Sequence, residues 1–166
     1  MSDISKDINP RIGYYLAGFA DGKGCFYVSF YPRSDYKIGW KISLCFNVSQ
    51  KETLILALFK KNLGCGKLRS RKDGMWYYEV DNFNSIVESV IPFFRKFSFL
   101  SLKKKNDFAN FQQIAELVKN EKHLTLSGLE KILSIRKQFN ENNYRYSDDF
   151  ILDKMKESSE TIRQTE

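Results

Sequence analysis

Residues 40–48 read Trp-Lys-Ile-Ser-Leu-Cys-Phe-Asn-Val and alternate without a break. Ile42, Leu44, Phe46 and Val48 fall on one side of an extended chain. Lys41, Ser43, Cys45 and Asn47 fall on the other. Successive side chains of a strand point to opposite faces, so this segment suits a sheet with one buried and one wet face. Residues 25–31 repeat the pattern, with Phe26, Val28 and Phe30 against Tyr27, Ser29 and Tyr31. A polar loop from Pro32 to Gly39 joins the two strands. Two such strands need helices or further strands to close a core.

The flanking segments supply them. Pro10 suits a first helical turn, and Ile12, Tyr15, Leu16 and Phe19 form a stripe, so a helix is expected over 10–21 and ends at Gly22-Lys23-Gly24. Ser49-Gln50-Lys51-Glu52 has the spacing of a capping box and opens a second helix, which Gly64-Cys65-Gly66 breaks. Asp73-Gly74 marks a hairpin between strands 67–71 and 75–80. Ser85-Ile86-Val87-Glu88 is a second capping box, opening a helix to about Phe97. Helices over 102–119 and 125–139 follow. The order is α-β-β-α-β-β-α with helices appended, an α+β fold built on a curved antiparallel sheet. Residues 1–9 read as an N-terminal tail, 10–140 as one domain, and 141–166 as a C-terminal tail with a short helix.

Composition narrows the function. The chain of 166 residues carries 27 Lys and Arg against 20 Asp and Glu, a formal charge of +7. That surplus points to a polyanionic partner. No apolar run is long enough to span a membrane, and the polar N-terminus is not a signal peptide. Three cysteines without a CxxC pair and a single histidine, His123, argue against a disulfide framework and a zinc site.

The wet faces of the strands offer Tyr27, Ser29 and Tyr31; Lys41, Ser43 and Asn47; Lys67, Arg69 and Arg71; and Trp76 and Tyr78. Arg33, Asp35 and Tyr36 of the connecting loop join them. The strand residues include no acid, whereas an ordinary solvated face would mix in Glu and Asp. Arg and Asn read guanine and adenine edges bidentately, and a β-ribbon fits the major groove. Double-stranded DNA is therefore the expected partner. A strand of roughly ten residues spans about 33 Å, close to one turn of B-DNA. One sheet covers about 10 bp, and two related by a dyad cover about 20 bp of pseudopalindromic sequence. Gly13, Ala17 and Gly18 in the first helix permit close helix approach and are expected to form the dimer seam.

Leu16-Ala17-Gly18-Phe19-Ala20-Asp21-Gly22-Lys23-Gly24 resembles the LAGLIDADG motif of homing endonucleases. The element order is similar to that family's fold, as is the run His123-Leu124-Thr125, Gly128-Leu129 and Lys131-Ile132-Leu133. The resemblance extends from about Pro10 to Asn140. It implies a single-motif homodimer, encoded in an organellar intron and acting in a mitochondrion or chloroplast. Such a protein cuts both DNA strands near the centre of a long site with divalent metal. It also implies roles. The eighth motif position supplies the acid that binds Mg²⁺, helped by the carbonyl before it, here Gly22. Gln50 matches a residue that orders the solvent or metal network. Lys103 matches the active-site lysine, with Lys105 nearby. A basic residue found near Leu54 in some relatives is missing.

The eighth position here is Lys23. An ammonium group is no ligand for Mg²⁺. At ~4 Å and an effective dielectric of ~20, a +1/+2 pair repels by roughly 8 kcal/mol before screening. Two readings stay open. One is a homing endonuclease scaffold that binds DNA but has lost most or all cleavage. The other is a non-catalytic nucleic-acid binder, such as an intron RNA maturase.

Overall fold

A computed structural model describes residues 7–36, 38–139 and 144–165. The expected N-terminal tail up to residue 6, Lys37 in the connecting loop and the boundary at Asn140 lie outside these residues. Helix α1 (Pro10–Lys23) passes directly into β1 (Gly24–Pro32), which is followed by β2 (Trp40–Gln50) and α2 (Thr53–Leu63). Strands β3 (Lys67–Ser70) and β4 (Trp76–Val80) come next. Then follow α3 (Phe83–Ser85), a π-helical turn (Ile86–Val90), α4 (Ile91–Lys96) and α5 (Leu102–Lys119). A short 3-10 turn leads to α6 (Leu126–Arg136), and α7 spans Asp148–Thr165. The four strands form one antiparallel sheet in the order β1-β2-β4-β3.

Local chemistry explains most boundaries. Asn9 Oδ1 accepts from the Arg11 amide at 2.9 Å and Pro10 opens α1. The helix runs two residues past the expected end. It stops at Gly24, where a Cβ would lie 2.7 Å from the Ala20 carbonyl oxygen. The first capping box does not cap. Ser49 and Gln50 belong to β2, paired with Tyr77 and Trp76 of β4. The ladder satisfies their backbone groups, and α2 starts later, at Thr53. The second capping box is displaced as well. Asn82, not Ser85, is the cap, its Oδ1 accepting from the Ser85 amide at 3.0 Å. Pro92 has no N–H to give and its ring crowds the preceding turn, so the helix widens at Ile86–Val90, with the Ile91 amide reaching the Ile86 carbonyl. The C-terminal helix is longer than expected, at 18 residues.

The chain divides into two compact units. One comprises the chain up to Tyr27 together with Leu44–Ala109; the other comprises Val28–Ser43 and the chain from Asn110. The first holds an aromatic core. Phe26 lies 5.0 Å from Phe46 between ring centres, Phe46 5.0 Å from Phe94, and Phe94 stacks on Phe99 at 4.6 Å. The second buries Val28, Phe30, Phe111, Ile132, Ile151 and Met155. It also buries the Arg136 guanidinium, 1% exposed, over the rings of Phe30 and Tyr144 at 5.0 and 3.5 Å. Arg136 Nε lies 3.6 Å from Asp148 at the start of α7. No helix among the described residues is long and apolar enough to cross a membrane.

Candidate nucleic-acid interface and the motif end

The β3–β4 hairpin sets which side chains share a face. Gly74, with φ of 81°, makes the turn, and the Arg71 amide donates to the Met75 carbonyl. Three residues then separate the paired positions, so odd residues face odd residues. Arg69 opposes Tyr77, and Lys67 opposes Glu79. On the far side of β4, Asn47 opposes Glu79 and Ser49 opposes Tyr77. Asn47, Lys67, Arg69, Tyr77 and Glu79 therefore share the outer face.

That register corrects the expectation for β4. Tyr78 is 0% exposed and faces the core. Its ring stacks on Phe59 at 5.6 Å, and its hydroxyl donates to the Cys65 carbonyl at 3.2 Å. Burial raises its pKa and keeps the phenol neutral. Trp76 shares the parity of Tyr78, opposite Gln50 and Ser70, and is half-buried. The outer face is also not free of acid, because Glu79 sits in its middle. Glu79 Oε1 lies 3.5 Å from Arg69 Nε and 3.8 Å from Lys67 Nζ. Lys67 also pairs with Asp81 at 2.7 Å. Arg71 Nη1 donates to the Tyr77 hydroxyl at 2.7 Å, and its Nε lies 3.7 Å from Asp73. Tyr27 is half-buried, and burial raises its pKa. Its neighbour Cys45 is a neutral thiol, which burial pushes up to about 12.

The second unit, taken by itself, holds Ser29, Tyr31, Lys41, Ser43 and the loop after β1. Tyr31 and Lys41 are exposed; Ser29 and Ser43 are half-buried. Arg33 grips Asp35 with two parallel bonds, Nε to Oδ1 at 2.7 Å and Nη2 to Oδ2 at 2.6 Å. Its guanidinium lies 5.6 Å from the centre of the Tyr36 ring. The hydrogen bonds to Arg33 hold the Asp35 carboxyl below its usual range.

The motif end lies in the first unit. Lys23 is the exposed last residue of α1, where a cation complements the negative end of the helix dipole. Asp21 turns away from it to cap α5. Its oxygens accept from the Leu100 amide at 3.0 Å, the Ser101 amide at 2.9 Å and the Ser101 hydroxyl. Burial works against ionisation here, but these bonds and the charge of Lys104 outweigh it and hold the carboxyl below its usual 3.8. Lys104 is the buried lysine of its run, 9% exposed, with Nζ donating to the Gly24 carbonyl. Lys103 and Lys105 are exposed. Gln50 is half-buried, its Oε1 accepting from the Lys51 amide at 3.0 Å. Leu54 is exposed.

The residues present do not fit a divalent metal. Asp21, the carboxylate of the motif, is committed to α5, and Lys23 offers no oxygen. Among the described residues no group of three His, Cys, Asp or Glu side chains is arranged to hold an ion. Two of the three expected seam residues also lie elsewhere. A Cβ on Gly13 would come 2.3 Å from Phe97 Cζ, and Ala17 is buried in the chain's own core. Gly18 and Gly22 instead border open space on the outer side of α1, near the exposed Tyr14 and Tyr15.

The model of the LAGLIDADG endonuclease family matches residues 16–115. The chain belongs to that family. A probable intron-encoded endonuclease of Neurospora crassa is 31% identical over 139 residues, covering 80% of this chain and 29% of that protein. The DNA endonuclease I-CeuI of Chlamydomonas moewusii is 33% identical over 140 residues, covering 78% of this chain and 64% of its own. This LAGLIDADG chain thus spans under a third of the first relative and just under two thirds of the second. Among solved structures, the homing endonuclease I-TnaI superposes with a TM-score of 0.75 at 30% identity, covering 95% of this chain and 99% of that one. The archaeal intron-encoded I-Vdi141I in complex with DNA gives 0.78 at 28% identity, covering 90% and 96%. I-SmaMI, bound to uncleaved target DNA in the presence of calcium ions, gives 0.74 at 28% identity and is covered over only 48% of its length.

Sequence reasoning missed Tyr77, Glu79 and Lys104. The turn length between Arg71 and Met75 was the available signal for the first two. Nothing in the run Lys103-Lys104-Lys105 marks its middle member as the buried one.

Proposed function

We propose that this LAGLIDADG chain binds double-stranded DNA as a homodimer, on a pseudopalindromic site of about 20 bp, with cleavage lost or greatly reduced. The observation that carries the reading is Lys23 at the motif end while Asp21 is bonded to the start of α5. Lys23 can stand beside backbone phosphates as a fixed cation, so binding survives the loss of the acid. Dimerisation is supported by the open Gly18 and Gly22 side of α1. The names of the relatives, intron-encoded and in one case drawn from a cox1 intron, support an organellar intron product.

The wild-type chain and Lys23→Glu are compared on target duplex across a Mg²⁺ titration. The expected result is duplex binding by both, double-strand cleavage by the variant and none or little by the wild type. Efficient cleavage by the wild type overturns the loss of activity. Failure of both proteins to bind duplex DNA while binding intron RNA replaces the reading with a maturase.

A further inference from the structure

Glu79 is the one carboxylate centred on the outer face of β2, β4 and β3 among the described residues. It stands opposite Lys67 on one side and Asn47 on the other. It is 21% exposed, against 59% for Arg69, so it lies deeper in the face than the guanidinium it touches. Both cation contacts fall on Oε1. A face that met only phosphates would gain nothing from an acid there, since the carboxylate repels the backbone and cancels charge that would release counterions. Base edges are different. Cytosine presents the N4 amino donor in the major groove, and a carboxylate is its natural acceptor. Arg69 is complementary in its own way. Its Nε faces Glu79, which leaves the two terminal nitrogens as an outward fork, the geometry that bonds guanine O6 and N7.

We propose that Glu79 is a specificity-determining residue of this face. It fixes the fork of Arg69 on a guanine and accepts through Oε2 from the N4 amino group of a nearby cytosine. The inference rests on the duplex-binding reading above. Arg69 and Glu79 oppose residues two positions apart on the neighbouring strand, a separation of about 7 Å, so the two bases lie within about two base-pair steps of each other. Lys67 remains held by Asp81 when Glu79 is neutralised. Removing the charge therefore releases one cation, Arg69, to the backbone.

The test is selection from a library of randomised duplexes of about 20 bp by the wild type, Glu79→Gln and Arg69→Ala, with salt titrations of each protein on bulk duplex. The half-buried glutamine is isosteric with Glu79 and preserves the fold. Wild type should select guanine and cytosine at two nearby positions of each half-site. Glu79→Gln should lose the cytosine, weaken the guanine, and bind unselected duplex about threefold to tenfold more tightly at low salt, with a salt slope steeper by about one per subunit. Arg69→Ala should lose the guanine. Unchanged base preferences in Glu79→Gln overturn the inference and leave duplex binding intact. Absence of duplex binding by all three proteins overturns both.

Discussion

Asp21 and Lys23 stand two residues apart in the last turn of α1 and do opposite jobs. Asp21 ties the end of α1 to the start of α5, and Lys104 returns the tie by bonding the Gly24 carbonyl. A carboxylate at a helix start stabilises by capping amides and by meeting the positive end of the dipole. Because folding lowers the Asp21 pKa, its contribution is present above the unfolded value and is lost as pH falls through the folded one. Asp21→Asn should therefore be less stable than wild type at pH 7, and the gap from wild type should close as pH drops below about 4. Urea midpoints measured from pH 3 to 7 check this, and a constant gap would show that charge plays no part. The motif itself was legible in the sequence, including the departure at Lys23. The partners of Asp21 were not, because Leu100 and Ser101 are some eighty residues away and carry no local signal.

At the scale of elements, strand alternation predicted β1 and β2 well, because each has one apolar and one polar series. β4 reads Trp-Tyr-Tyr-Glu-Val, and its aromatic run hides which series is buried. Only the hairpin register decides, and a one-residue shift exchanges the two faces. Adjacent tyrosines should accordingly give opposite phenotypes. Tyr78→Ala removes a side chain packed against Phe46 and Phe59 and should destabilise the fold by about 3–5 kcal/mol. Tyr77→Ala should cost less than about 1 kcal/mol in stability but weaken duplex binding, since the hydroxyl orients Arg71. Thermal melts and anisotropy titrations of the pair distinguish the registers; equal destabilisation by both would contradict the one described. The two capping boxes misled for a related reason. Local capping chemistry lost to the β2–β4 ladder at Ser49 and to Asn82 at the next helix.

For the whole molecule, positive charge is unevenly divided. The unit that contains the motif and the β3–β4 hairpin carries 15 Lys and Arg against 9 Asp and Glu; the other carries 12 against 11. A charge count from sequence nevertheless overstates what DNA meets. Five cations were expected at the interface, Arg33, Lys41, Lys67, Arg69 and Arg71. Four of them stand against Asp35, Asp81, Glu79 and Asp73. Exposed pairs of this kind add little stability, about 0–1 kcal/mol each, so their effect falls on binding instead. If all five cations neutralised phosphates in both copies of a dimer, they would contribute about −9 to the slope of log K against log salt. With four carboxylates opposing them in each copy, the net is one charge per copy and a contribution near −2. Duplex binding should thus depend on salt far less steeply than the basic composition suggests, and most steeply in variants that remove these acids. Anisotropy titrations between about 50 and 300 mM salt measure the slope. A value near −9 for the wild type would mean that the carboxylates swing away on binding and that the pairing seen in the free chain has no bearing on how DNA is held.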